Sequence, residues 1–381
     1  MTRNRWSDLC TRAAAVLAGI CILGCKPEIE GPITDPSRAA VDARKVLMRA
    51  VSDEDPITRA HALEALDYTV GPEAGDEYMA ALSDPSPSVR SAAVMAVGES
   101  MYAPALEKLQ AMADREEPDK RVYCVVIYAM YRLGDDSRMS DLHKLLTDQD
   151  EWVRASAAYI MGKTGHESAL QALKNLVGDE TNVNVQIRAR EAMAMLGDTA
   201  SAMRLEAYAM WPFIDDKIDA IRALSNLGGS RARTLLEYLT NKEDIPTLAR
   251  VAAAGGLGRM NVFDQAGYDL CIRSLTQPAK VLKESGKKEQ IPSDADIRAL
   301  QQMAAVSLGP MGRTGAVDYL YPLLGHKDGS IRVAAAKSIL QLLPSYSENV
   351  LDLADEDLYE PPAPPQAGPM APLIIPEQSG E

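Results

Sequence analysis

Residues 84–98, Asp84-Pro85-Ser86-Pro87-Ser88-Val89-Arg90-Ser91-Ala92-Ala93-Val94-Met95-Ala96-Val97-Gly98, decide the fold. Val89, Ala92, Ala93, Ala96 and Val97 fall three and four apart, the spacing that gathers apolar side chains on one face of an α-helix. Asp84-Pro85 sets a side-chain acceptor ahead of the run, followed by a residue with no N–H, where the first helical turn has donors without partners. Gly98 closes the run, as a residue free to take positive φ does. Start, stripe and stop agree on a short helix.

The stretch returns nine times. Aligned on the closing Gly or its equivalent, the position eight residues earlier reads Arg59, Arg90, Val126, Arg154, Ala189, Ala220, Arg250, Gln301 and Arg332. The spacings run from 28 to 36 residues with one of 51, the period of a two-helix solenoid unit carrying one insertion. Gly98, Gly134, Gly162, Gly197, Gly228, Gly258 and Gly309 are read as the stops of first helices. Second helices show as stripes such as Ala105, Leu106, Leu109 and Met112, or Val317, Leu320, Leu323 and Leu324. A lone hairpin of this kind cannot bury both faces, so neighbours must stack. The expected fold is an all-α solenoid of about nine helix-pair repeats over residues 37–354, forming an elongated, curved array. A leading helix from Asp35-Pro36 to about Val51 is expected to cap its N-terminal end.

Composition agrees. The 381 residues are 46% hydrophobic and 25% charged, enough to bury a large core. Aromatics supply only 5%, and the repeats are filled with Ala, Leu, Val and Met, which let helices approach closely. A loop over 277–296 interrupts the period and carries Lys280, Lys283, Lys287 and Lys288, a basic island read first as solvated surface. Beyond Asp355 the pattern gives way to Asp-Glu-Asp and to Pro361, Pro362, Pro364, Pro365, Pro369, Pro372 and Pro376, an extended or disordered tail over 355–381.

The N-terminus reads as an address. Arg3, Arg5 and Arg12 precede an uncharged run from Ala13 to Gly24, a secretory signal in outline and too short to span a bilayer. Ile22-Leu23-Gly24-Cys25 resembles the lipobox of bacterial lipoproteins. That resemblance implies cleavage after residue 24, lipidation of Cys25 and a linker over 25–36; an ordinary signal peptide is the alternative. It places the protein on the periplasmic side of a bacterial membrane, with Lys26 favouring the outer membrane in a two-membrane cell. Loss of residues 1–24 removes three Arg and one Asp, leaving 37 basic and 53 acidic residues, a net charge of −16. Such a chain is repelled by phosphate polymers, so no nucleic-acid partner is expected. Cys124 and Cys271 lie four units apart and are read as unpaired buried thiols.

Asp53 with Arg59, Asp84 with Arg90, Asp148 with Arg154 and Asp244 with Arg250 repeat a separation of six, beside Val-Arg-x-x-Ala-Ala-x-x-x-Gly. This resembles the HEAT repeat, and its short units resemble the HEAT-like repeats of phycobilisome bilin lyases. The resemblance implies a structural ladder of Asp and Arg between units, with Arg332 in the last. The pair is lost around Val126, Ala189 and Ala220.

Chemistry is harder to find. His61, His143, His166 and His326 fall in four different units and form no spaced ligand pair, so no metal is expected. Gly255-Gly256-Leu257-Gly258 follows helix, not strand, and reads as a helix end. Deoxyhypusine hydroxylase is a HEAT-like enzyme whose di-iron site uses several His-Glu pairs, whereas His166-Glu167 alone has that form here. No cofactor or catalytic residue is assigned. The function expected is a non-catalytic, lipid-anchored scaffold for protein partners, with Trp152, Trp211 and Phe213 as candidate anchors. A bilin-lyase-like enzyme or cofactor-handling HEAT protein is the alternative.

Overall fold

Most units start where a side-chain oxygen meets unpaired N–H groups. Asp35 accepts from Ser37 N at 3.0 Å, and Asp55 accepts from Ile57 N and Thr58 N. In the stretch quoted above the cap moves: Ser86 is the N-cap and Pro87 the first helical residue, while Asp84 accepts from Ser86 N at 2.8 Å. The structure, a computed structural model, describes residues 35–115, 117–285 and 291–347. The signal, Cys25, the linker before residue 35 and the Pro-rich tail lie outside the described residues.

Chain order begins with α1 (Pro36–Ala50), α2 (Pro56–Thr69), α3 (Gly75–Ala81), α4 (Pro87–Glu99), α5 (Leu106–Asp114), α6 (Lys120–Arg132) and α7 (Asp141–Leu145). It continues with α8 (Glu151–Lys163), α9 (Ala169–Asp179), α10 (Val183–Met195), α11 (Thr199–Ala209), α12 (Ile214–Leu227), α13 (Ser230–Asn241) and α14 (Thr247–Arg259). It ends with α15 (Gln265–Thr276), α16 (Pro278–Ser285), α17 (Asp294–Leu308), α18 (Val317–Leu320), α19 (Gly329–Leu342) and α20 (Pro344–Ser347). No strand occurs among the described residues, and the all-α solenoid reading holds.

The array is not open. First helices α2, α4, α6, α8, α10, α12, α14, α17 and α19 pack each against the next, and α19 then packs against α2. Nine units, each turned by about 40°, return to their start. The leading helix α1 is therefore no solvent-facing cap: it lies against α19 and α2, the place a second helix of the last unit would take. Its buried face, Ala39, Ala40, Ala43, Val46, Leu47 and Ala50, joins the two chain ends in one continuous core. Polar contacts cross the same seam, with Tyr321 Oη donating to Asp42 Oδ2 at 2.7 Å and Arg332 Nη2 to Asp53 Oδ2 at 3.0 Å.

The Asp–Arg separation of six has a physical reason. Arg59, Arg90 and Arg154 each donate Nη1 to backbone carbonyls five and six residues back, covering the loop before their own helix. The remaining nitrogens reach the next unit: Arg59 pairs with Asp84 at 2.9 Å, Arg154 with Glu180 at 2.7 Å, and Arg90 with Glu117. Arg332 closes the circle on Asp53. Three expected rungs differ. Glu replaces Asp as partner of Arg90 and Arg154, Asp148 pairs with Lys120 at 2.6 Å, and Arg250 donates to Thr240 O instead of an acid. Asp244 joins no ion pair among the described residues. Where Arg is missing, Gln186 donates to Glu180 O, Lys217 to Ala209 O and Gln301 to Leu275 O, so the loop carbonyls stay covered.

Two sequence expectations are corrected. Gly98, Gly162, Gly258 and Gly309 do not stop helices through positive φ; a Cβ on Gly162 would lie 2.4 Å from Ala192 Cα, so these glycines serve close packing of first helices. Gly134, Gly197 and Gly228 do have positive φ. The segment expected as a loop over 277–296 contains α16, because Val281 buries its side chain against the core. Lys287 and Lys288 lie outside the described residues. Cys124 and Cys271 are free and buried, and burial pushes the Cys124 thiol up to about 12. No described helix is long and apolar enough to cross a membrane.

Candidate functional site

Closing the ring turns one face of the first helices toward a central bore, and charged residues that the ladder does not use gather there. Glu99, Arg132 and Lys163 end α4, α6 and α8. The two cations sit at helix C-termini, where the backbone dipole favours positive charge. Lys163 Nζ donates to Glu99 Oε1 past the intervening α6, Arg132 Nη1 donates to Glu99 Oε2 at 3.0 Å, and Tyr128 Oη to Glu99 Oε1 at 3.0 Å. Burial works against the Glu99 charge, yet the bonds from Lys163 and Tyr128 and the field of Arg132 prevail and hold its pKa low.

Asp67 on α2 meets the opposite balance. It is part-buried and makes no hydrogen bond or ion pair among the described residues. Burial first and the Glu99 charge second push its carboxyl up to about 6, against the pull of Lys163, Lys337 and Arg132. These groups come from α2, α4, α6, α8 and α19, so the bore is narrow enough for non-adjacent helices to sense one another. A carboxyl that titrates near neutrality beside fixed cations is suited to taking up and releasing a proton. The sign for stability follows. An Asp at 3.8 when unfolded and near 6 when folded binds more protons in the folded state between those values, so stability falls as pH rises through them. Asp67→Asn is expected to melt above the parent at pH 7.5, with the advantage gone near pH 3.5; thermal melts at both pH values check this.

Further round, α8, α10 and α12 enclose a cavity of about 270 Å³ lined by Trp152, Ser156, Tyr159, Arg188, Glu191 and Arg222. Glu191 is wholly buried: Oε2 accepts from Arg188 Nη1 at 3.1 Å, and Oε1 has no protein partner. Arg222 Nη2 donates to Asp219 at 2.7 Å, while its buried Nε is unpartnered. The Arg188 guanidinium lies 5.5 Å from the Tyr159 ring. An acceptor, a donor and two aromatic faces thus line one polar cavity.

Of the residues marked in the sequence, Trp152 stands on this cavity, 53% exposed, and faces the bore. Trp211 and Phe213 lie on the turn between α11 and α12, where Tyr208, Trp211 and Phe213 touch edge to face at 4.9 and 6.3 Å. No described contact joins them to Trp152. The ladder residues play no part in the bore. Sequence reasoning missed Asp67, Glu99, Lys163, Arg259 and Lys337, although the repeat register marks most of them. Glu99, Lys163 and Arg259 come nine residues after Arg90, Arg154 and Arg250, and Tyr159 and Lys337 five after Arg154 and Arg332. His166 packs on Tyr131 at 5.3 Å, and no three His, Cys, Asp or Glu among the described residues stand close enough to hold a metal ion. The residues present do not fit a di-iron site.

The HEAT-repeat family profile matches residues 43–123 and 114–194. Deoxyhypusine hydroxylase of Schizosaccharomyces pombe is 30% identical over 129 residues, 33% of this chain and 39% of that enzyme. The phycocyanin operon protein Z of Pseudanabaena tenuis is 23% identical over 195 residues, 49% of this chain and 94% of that protein. Among solved structures, the complex of CpcE and CpcF of phycocyanin lyase from Nostoc shares 18% identity at a TM-score of 0.39, covering 68% of this chain and 98% of its own. Human deoxyhypusine hydroxylase shares 16% at a TM-score of 0.33, covering 84% and 100%. At such identities the solved structures share only the helical repeat. The expectation of a non-enzyme is corrected by these relatives, which include an enzyme matched in sequence. It rested on repeat positions, and those carry packing and are silent about chemistry.

Proposed function

Starting from a chain that is a HEAT-repeat protein, we propose that its ring handles a small ligand or cofactor in the bore, in the manner of a lyase-type HEAT protein and not of an open scaffold. The observation that carries this reading is Asp67: an unpaired carboxyl near pKa 6, enclosed with Glu99, Lys163 and Lys337 at the meeting point of helices far apart in sequence. Such a group is costly to leave unpaired in a merely structural core. Protein recovered from its native source is expected to carry a bound small molecule, seen by native mass spectrometry as mass beyond the polypeptide and its lipid. Asp67→Asn, which removes the titrating carboxyl from the bore, should weaken retention of that mass. A parent chain with no added mass would end the reading.

The site is placed at a membrane in this proposal. Cys25, in its lipobox-like setting, tethers the ring to the periplasmic face of a bacterial membrane, with Lys26 favouring the outer one. Cys25→Ser is expected to move the protein from the membrane fraction to the soluble periplasm; fractionation and immunoblotting check it, and a variant that stays with the membrane contradicts the anchor.

A second reading is favoured by Trp211 and Phe213, 36% and 64% exposed beside Met210 on one turn. Aromatic side chains grouped in this way anchor protein partners. Trp211→Ala with Phe213→Ala should then weaken capture of a partner cross-linked in cells while leaving the bore intact.

A further inference from the structure

The bore is not uniform around its circumference. On the side of α4, α6 and α8, each cation has an acid: Lys163 and Arg132 share Glu99. On the opposite side, α14 and α19 contribute Arg259 and Lys337, and neither makes an ion pair or hydrogen bond among the described residues. Lys337 Nζ stands 5.0 Å from the centre of the Tyr68 ring, its one described partner. Arg259 stays open to solvent along the bore although protein surrounds it. It lines a cavity of about 380 Å³ with Tyr68, Gly309, Pro310 and Gln341, whose Oε1 is buried without a partner. Arg222, on α12 beside α14, is a third cation, its Nη2 paired with Asp219 at 2.7 Å and its Nε unpartnered.

These cations work against one another. Burial lowers the pKa of Arg259, and repulsion from Arg222 lowers it further. Burial likewise lowers that of Lys337; Glu64 and Asp67 counter it and Arg259 adds to it. Two unpaired cations close enough to repel each other are unfavourable without a counter-charge. The groups come from residues far apart in sequence, so no local helix feature accounts for their meeting. Between them the turn that follows α17 brings only Gly309, Pro310 and Gly312 to the cavity, which leaves room for a guest.

Resting on the reading of the bore as a ligand site, we propose that Arg259 and Lys337, with Arg222 behind them, form a binding site for a small dianion, a phosphate or a dicarboxylate. Arg259 offers a planar fork for two oxygens, Lys337 a point charge, and the exposed Tyr68 ring a face for the rest of the molecule.

The test is a thermal melt of the full ring in inorganic phosphate, in succinate and in sodium chloride, all at one ionic strength. The parent should gain about 3 °C in at least one dianion over chloride near saturation, and which dianion does so separates the two sources. Arg259→Gln with Lys337→Gln should abolish that gain. The same double variant should also melt higher than the parent in chloride alone, because the repulsion is gone; a merely structural pair would melt lower. Lys280→Gln with Lys283→Gln, on the outer helix α16, should keep the full gain. Equal melting of the parent in all three salts, or an undiminished gain in the double variant, overturns the site. Either result leaves the retained-molecule experiment untouched, so failure here is distinguishable from failure of the bore as a ligand site.

Discussion

A chain that begins at Ser52, and so lacks α1, is expected to lose the cooperative unfolding of the intact ring and to elute as a larger, more extended particle. In an open solenoid the first helix is an end piece, and its removal frays one unit. Here α1 covers α19 as well as α2, so its loss uncovers both ends of the chain at once. Six buried apolar side chains go with it, Ala39, Ala40, Ala43, Val46, Leu47 and Ala50. Leu47→Ala alone should cost about 3 kcal/mol, since it empties a fully enclosed site. The whole helix is worth more, on the order of 5 kcal/mol, comparable to the net stability of a typical domain. Calorimetry and size-exclusion chromatography of the truncated chain check both parts. An unchanged elution volume with a slightly lower melting point would mean that α1 is an ordinary end cap.

The second large effect comes from a methyl group. Gly162→Ala places a Cβ 2.4 Å from Ala192 Cα and 2.6 Å from Ala192 Cβ, and the backbone of α10 has no side-chain freedom with which to give way. The substitution gains helix propensity of about 1 kcal/mol and still should lose roughly 2–3 kcal/mol net, because α8 and α10 must separate along their contact. Gly178→Ala is the control. That residue also lies in a helix, α9, and has nothing within 4 Å of a new Cβ, so the same change should stabilise by about 0.5–1 kcal/mol. Urea unfolding of the two variants beside the parent should therefore move midpoints in opposite directions. Shifts of one sign at both sites would contradict close approach of the first helices.

The repeat itself is legible because helix geometry writes it in short-range spacing: the stripe of Val89, Ala92, Ala93, Ala96 and Val97 needs no distant residue to be recognised. The Asp–Arg ladder is legible for the same reason, since Arg59 covers carbonyls only five and six residues back. Its partner across the unit is less so. Glu117 and Glu180 serve as well as Asp84 does, because only a carboxylate within reach is required. Closure left no local mark. Whether nine units make an arc or a circle depends on small rotations summed around the ring, and the contact of Arg332 with Asp53 joins residues 279 positions apart. The bore was hidden with it. Asp67 acquires its raised pKa from burial and from Glu99 on the neighbouring α4, and neither shows in the spacing of residues along the chain. Gly162 misled for a related reason: a glycine at a helix end reads as a stop, whereas here it marks where another backbone passes.

Closure of the ring through α1, α19 and α2 is most directly tested by a disulfide across the seam. A Cβ on Gly329 would lie 3.1 Å from Thr58 Cβ, within a few tenths of an ångström of the usual span between bonded cysteines. In Thr58→Cys with Gly329→Cys, mild oxidation of the native protein should form one intramolecular bond, seen as faster migration on a non-reducing gel and reversed by reductant. Two free thiols after oxidation of folded protein, or cross-links only between separate chains, would show that the ends do not meet.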